Sequence, residues 1–149
     1  MDFLEKQIEA KIVDAVESAV GADYSVTGFL QPSVQGVEKT SGLTGILITC
    51  RPRVGVMGRG EVTFSVLFDV RLEVARDATG DMLADMVAPL MNLVEGWHQD
   101  VSTLRTSVNV DGVFRADGVV NADGGDAGFD IESLVWYWNF SLSLKGWMI

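Results

Sequence analysis

The sequence predicts an α+β fold, with two helices packed on the apolar face of an antiparallel (mixed) β-sheet that carries a long β-hairpin. Three observations predict it. Residues 61–76, EVTFSVLFDVRLEVAR, alternate apolar and polar side chains over more than a dozen positions, as a half-buried antiparallel strand does. Two segments, 2–20 and 79–98, instead repeat their apolar residues at helical spacing. The order helix, strands, helix, strands then predicts an antiparallel sheet with both helices packed on its apolar face. At 149 residues and 48% hydrophobic composition, the chain suits one domain, 1–149, with a core of its own.

The first helix takes its apolar face from Phe3, Leu4, Ile8, Ile12, Val13, Val16 and Val20. Asp2, Glu5, Glu9, Asp14 and Glu17 fall on the other side, and Gly21 stops the helix. Residues 22–42 read as a connector with a short strand at 26–30, punctuated by Pro32, Gly36 and Gly42. A strand follows through GILITCRPRV, with Pro52 at its end or at an edge. Residues 53–60 form a glycine-rich hairpin loop without the GK[ST] ending or following helix of a phosphate cradle.

In the next strand Val62, Phe64, Val66, Phe68, Val70, Leu72 and Val74 share the buried face. The second helix, 79–98, is capped by Thr79 or Asp81 and packs through Leu83, Met86, Val87, Leu90, Met91, Val94 and Trp97. Pro89 lies inside it and is expected to kink or split it. A third long strand is read over 103–115 from Leu104, Thr106, Val108 and Val110, and a fourth over 130–145 from Leu134, Trp136, Trp138, Phe140, Leu142 and Leu144. The aromatic stripe of this last strand points to one face and is expected in the core rather than on a ligand platform.

Between these strands, Asp111-Gly112, Asp117-Gly118 and Asp123-Gly124 recur every six residues. From Asp111 to Glu132 there are six acids and one Arg, a local net charge of −5. Asp-Gly is a turn dipeptide, and the spacing does not match an EF-hand loop. The stretch therefore reads as a solvated hairpin tip, with calcium binding as the rival. Trp147, Met148 and Ile149 follow Gly146, beyond the expected strand, either tucked into the core or reserved for a neighbour.

Charge and composition exclude several functions. A formal net charge of −10, from 21 acids against 11 Lys and Arg, disfavours gripping a nucleic-acid backbone. The single cysteine, Cys50, cannot form an internal disulfide or a multi-cysteine zinc site and is expected to be buried. The first ten residues lack the basic and apolar regions of a signal peptide, and no apolar run approaches the roughly 18 residues of a membrane span. The chain is therefore expected in a cytoplasm or a particle built there, with no membrane partner. His98 is the one histidine, at a helix end beside Asp100, where it suits the helix dipole. No nucleophile stands near it in a recognisable motif, so no enzyme activity and no cofactor or metal is expected.

Arg51, Arg53 and Arg59 cluster around the 53–60 loop. They read either as a solvated turn or as a contact that meets the acidic hairpin of an adjacent copy, a pairing that sets register and partner choice. In that second reading the interface comprises Arg51, Arg53 and Arg59 on one side, Asp117, Asp123 and Asp126 on the other, and Trp147.

Taken in order, the long N-terminal helix, the strands through GILITCRPRV and EVTFSVLFDVRLEVARD, the helix DMLADMVAPLMNLVEGWHQD and the final hairpin resemble the tail terminator (tail completion) proteins of long-tailed bacteriophages, of the minor tail protein U type. The resemblance covers most of the chain and rests on element order, size and texture rather than on a signature motif. It implies a virion structural protein that caps the tail tube as a hexameric ring, ends tube elongation and joins the tail to the head connector. The partners it implies are further copies of the chain, the tail tube protein and a neck protein. The long Asp-Gly stretch and the apolar C-terminal tail depart from that pattern and leave room for another neck or tail component.

Overall fold

The computed structural model describes residues 4–21, 25–30, 45–52, 60–73, 81–132 and 134–149. The elements among them are α1 (Leu4–Val20), β1 (Val26–Gly28), β2 (Gly45–Pro52), β3 (Glu61–Glu73), α2 (Asp81–Gln99), α3 (Val101–Val108), β4 (Phe114–Asp130) and β5 (Val135–Met148). The strands form one five-stranded sheet in the order β1-β2-β3-β5-β4. It is mixed, because β1 runs parallel to β2 while every other pair is antiparallel.

Period-two patterning decides which face of the sheet is buried. Phe64, Val66, Phe68, Val70 and Leu72 of β3 are all essentially inaccessible. Their register partners Ile46, Ile48 and Cys50 in β2, and Phe140, Leu142 and Leu144 in β5, lie on the same face and are buried too. Phe68 stacks on Phe140 with ring centroids 4.8 Å apart, and Phe64 meets Phe114 edge-on at 5.5 Å. All three helices close over this face and share one core with it. α1 packs against β1 and β2, α2 against β3, and α3 against β4. Trp136 and Trp138 pack at the margin of the core, half-buried, so the aromatic stripe is core-facing as expected.

Gly21 ends α1 as anticipated, with φ +83° and its N–H donating to the Glu17 carbonyl at 3.0 Å. α2 runs unbroken through Pro89 instead of splitting. Pro89 has no N–H for the Asp85 carbonyl, and Asp85 is exposed to water that can take its place.

Several expectations are corrected. Residues 101–108 are a helix, not part of a third strand. Leu104 and Val108 are four apart, a spacing that suits both periods, so alternation could not separate them. Local chemistry selects the helix. The Asp100 carboxylate accepts from the Ser102 N–H at 2.9 Å and from the Thr103 hydroxyl at 3.2 Å, an N-cap in extended conformation. Thr106 and Ser107 then donate their hydroxyls back to the carbonyls of Ser102 and Thr103.

The Asp-Gly stretch is not a hairpin tip. Apart from Asp111-Gly112, which makes the turn before β4, it lies inside β4 and pairs with β5 along its length. Three register shifts, at Ala116/Gly118, Val119/Asn121 and Asp123/Asp126, absorb its extra residues as bulges. The tip of the hairpin lies between Asp130 at the end of β4 and Val135 at the start of β5. The segment from Gly146 to Met148 continues β5, with Trp147 between Glu61 of β3 and Arg115 of β4. Glu9, expected on the wet side of α1, is fully buried. The glycine-rich loop lies outside the described residues, apart from Gly60.

Candidate functional site

The helices cover one face of the sheet, and the outward residues of the strands form the other. Cross-strand rows run over that outer face: Arg51–Ser65–Ser143–Asn121, then Thr49–Leu67–Ser141, then Leu47–Asp69–Asn139–Asp126. The face is polar but not uniformly so. Leu67 is the one residue of β3 out of phase with its neighbours, and it is 42% exposed there. Asp69 and Arg71, two apart on the same strand, pair at 3.1 Å.

The predicted interface residues are distributed over this frame. Arg51 is exposed near the end of β2, opposite Ser65, and has no carboxylate within salt-bridge distance among the described residues. Arg53 and Arg59 lie outside the described residues. Asp117 occupies the first bulge of β4, where Arg105 Nη2 approaches at 3.6 Å and Lys145 Nζ at 3.9 Å. Arg105 also donates through Nε to the Ala116 carbonyl at 2.9 Å, which ties α3 to the start of β4. Asp123 stands opposite Ser141. Asp126 is exposed after the third bulge and accepts from the Tyr137 hydroxyl at 3.5 Å. Trp147 is half-buried, opposite Arg115.

Within one chain the acids of β4 and Arg51 do not meet, because β3 and β5 lie between their strands. Asp117 and Asp126 are also held apart. Their neighbours on β5, Lys145 and Asn139, are six residues apart on an extended strand, roughly 20 Å. Among the described residues no three His, Cys, Asp or Glu side chains converge to hold a metal.

Other titratable groups have structural surroundings. His98 is exposed at the end of α2. Cys50 is buried, and burial first, then the nearby Glu9 and Glu5 carboxylates, push its thiol well above the ordinary range. Glu9 takes over where the parallel ladder ends. Ile46 N–H donates to the Ser25 carbonyl and Phe29 N–H to that of Ile48, and the next two amides turn to the carboxylate instead. Glu9 Oε1 accepts from Leu30 N–H at 2.7 Å and Oε2 from Cys50 N–H at 3.1 Å.

The sequence reading missed one surface. Around the hairpin tip, Phe129, Ile131 and Leu134 are exposed, Ile131 at 77%. Phe129 leans on Trp136 with centroids 5.3 Å apart. The Asp130 carboxylate accepts from the Glu132 N–H at 3.0 Å and shapes the turn. Leu134 has φ 55°, in the left-handed region that side chains rarely adopt. The break in alternation across DIESL carried the signal.

Among the described residues no helix is long and apolar enough to cross a membrane. No family model matches the chain. No curated protein matches it with significance.

Proposed function

We propose that this protein is a structural ring subunit of a bacteriophage virion, a tail terminator that caps the tail tube, ends its elongation and joins it to the head connector. One observation carries the reading. The acidic strand β4 and the basic end of β2 lie toward opposite sides of the same sheet, with two strands between them. Unlike patches on opposite sides of a subunit suit head-to-tail association, which closes into a ring when the rotation allows. The open polar face of the sheet leaves a broad surface for the tube and neck partners. The element order supports the same assignment by analogy of fold.

The test is tail length by electron microscopy in the parent phage or prophage with this gene deleted. Overlong tubes that fail to join heads are the expected result. Tails of normal length that remain unjoined would move the protein to another neck component, and normal tails on filled heads would remove the proposal.

A further inference from the structure

The two ends of the β4–β5 hairpin differ in a way that matches one to the other. At the tip, Phe129, Ile131 and Leu134 expose apolar surface beside the exposed acids Asp126 and Glu132. The backbone holds Leu134 outward at a strained φ, where glycine or asparagine would sit more easily. At the other end, roughly 40 Å away along β5, Trp147 is half-buried, Met148 and Ile149 are exposed, and Arg115 lies directly opposite Trp147.

Arg115 is exposed and has no carboxylate within salt-bridge distance among the described residues, and Arg51 shares its face and its lack of a partner. Glu61, on the far side of Trp147, and the exposed Asp111, in the turn whose Val113 carbonyl accepts from the Ile149 N–H at 2.8 Å, are acids at this end, while Asp117 is already shared by Arg105 and Lys145.

We infer that the hairpin tip of one copy docks on the Arg115–Trp147 end of the next, as a head-to-tail contact between copies of this chain. The inference rests on the ring-subunit reading and specifies which surfaces meet. Charge selects a second copy in this orientation. Tip against tip would bring Asp126 and Glu132 onto their own equivalents, whereas tip against the far end sets them toward Arg115. The apolar side chains supply the anchor: Ile131 and Leu134 leave water against Trp147 and Ile149. The patch is small beside a stable dimer interface, so the contact is weak between free subunits and strengthens when a ring closes or a template aligns the copies.

The experiment uses the purified full chain with Ile131→Cys and Ile149→Cys, singly and together, treated with a short bismaleimide at high protein concentration. Cys50 is buried and stays out of the reaction. The double variant should give a ladder of covalent oligomers and the single variants mainly monomer. Dimers from Ile131→Cys alone would reveal a tip-to-tip contact and overturn the inference, as would the absence of any ladder.

A second measurement, sedimentation velocity, checks the chemistry without new cysteines. Leu134→Asn keeps the backbone turn yet removes the anchor, and should weaken association by roughly tenfold or more. Arg115→Glu should do the same, and added salt should weaken the unmodified protein. Association unchanged in both variants would overturn the inference. A crosslinked ladder from a protein whose deletion leaves tails normal would keep this contact and remove the proposed function.

Discussion

Glu9 is the most consequential single side chain of the core. Its carboxylate is fully buried and accepts two main-chain N–H groups, from Leu30 and Cys50, where β1 and β2 stop pairing. Glu9→Ala would leave both donors without that acceptor. A buried donor left unsatisfied costs about 1–3 kcal/mol, so the pair should cost about 2–6 kcal/mol. That is a large fraction of the stability of an ordinary domain. Glu9→Gln has nearly the same volume but keeps one acceptor and turns an amide NH₂ toward the other N–H. Its cost should be intermediate, about 2 kcal/mol. Urea denaturation followed by tryptophan fluorescence measures both. With a slope of about 2 kcal/mol/M, the Ala variant should lower the midpoint by about 1–3 M without changing the slope. Hydrogen exchange at Leu30 and Cys50 should accelerate in both variants. An Ala variant within about 1 kcal/mol of the parent would refute the reasoning, since the two amides would then have found other acceptors.

Four further outcomes follow from the same structure. Because the Cys50 thiol is held protonated in the fold, it should resist iodoacetamide until the protein unfolds. Above about pH 8.5 the unfolded chain loses this proton and the folded one does not, so stability should fall with rising pH by up to ~1.4 kcal/mol per unit from this group; a Cys50→Ala variant should lack that component in pH-dependent denaturation. Trp97 is buried, and its indole N–H has no hydrogen-bond partner among the described residues. Trp97→Phe should therefore cost no more than ~2 kcal/mol and Trp97→Ala about 3–5 kcal/mol in thermal or urea unfolding.

Gly125, in the third bulge with φ +76°, has the Asn139 carbonyl where a Cβ would go, and at Gly146 a Cβ would meet the Phe114 ring and the Arg115 carbonyl. Either glycine replaced by alanine should lower the melting temperature by several degrees, a loss of more than ~2 kcal/mol, and an unchanged melting temperature would show that β4 can shift without cost. Asp117→Asn should have little effect, at most about 1 kcal/mol and less at high salt, because its two ion pairs are partly exposed.

The elements with a long, single-period pattern were legible from the residues. β3 alternates with the single exception of Leu67, and α1 and α2 repeat at helical spacing, so most of the apolar faces read for them are buried, with Met91 of α2 exposed instead. Leu104 and Val108 satisfy both periods, and only the Asp100 cap separates helix from strand. A reading that weighed D-x-S-T as a cap would have found α3.

Local sequence by itself determined which residues prefer the core, that one face of the sheet stays polar, and that the chain is acidic. Those properties follow from side-chain chemistry and period. The tertiary structure alone decided what becomes of the residues from Phe114 to Asp130. Asp, Gly and Ala have low strand propensity, and Asp-Gly favours turns, yet β5 presents a paired, aromatic-rich strand beside them. Pairing along β5 outweighs local preference, and bulges take up the mismatch. The burial of Glu9 was decided in the same way. On the helix it belongs with the wet residues, and it is the unpaired end of a parallel ladder, made by segments 21 and 41 residues further along the chain, that draws its carboxylate inside.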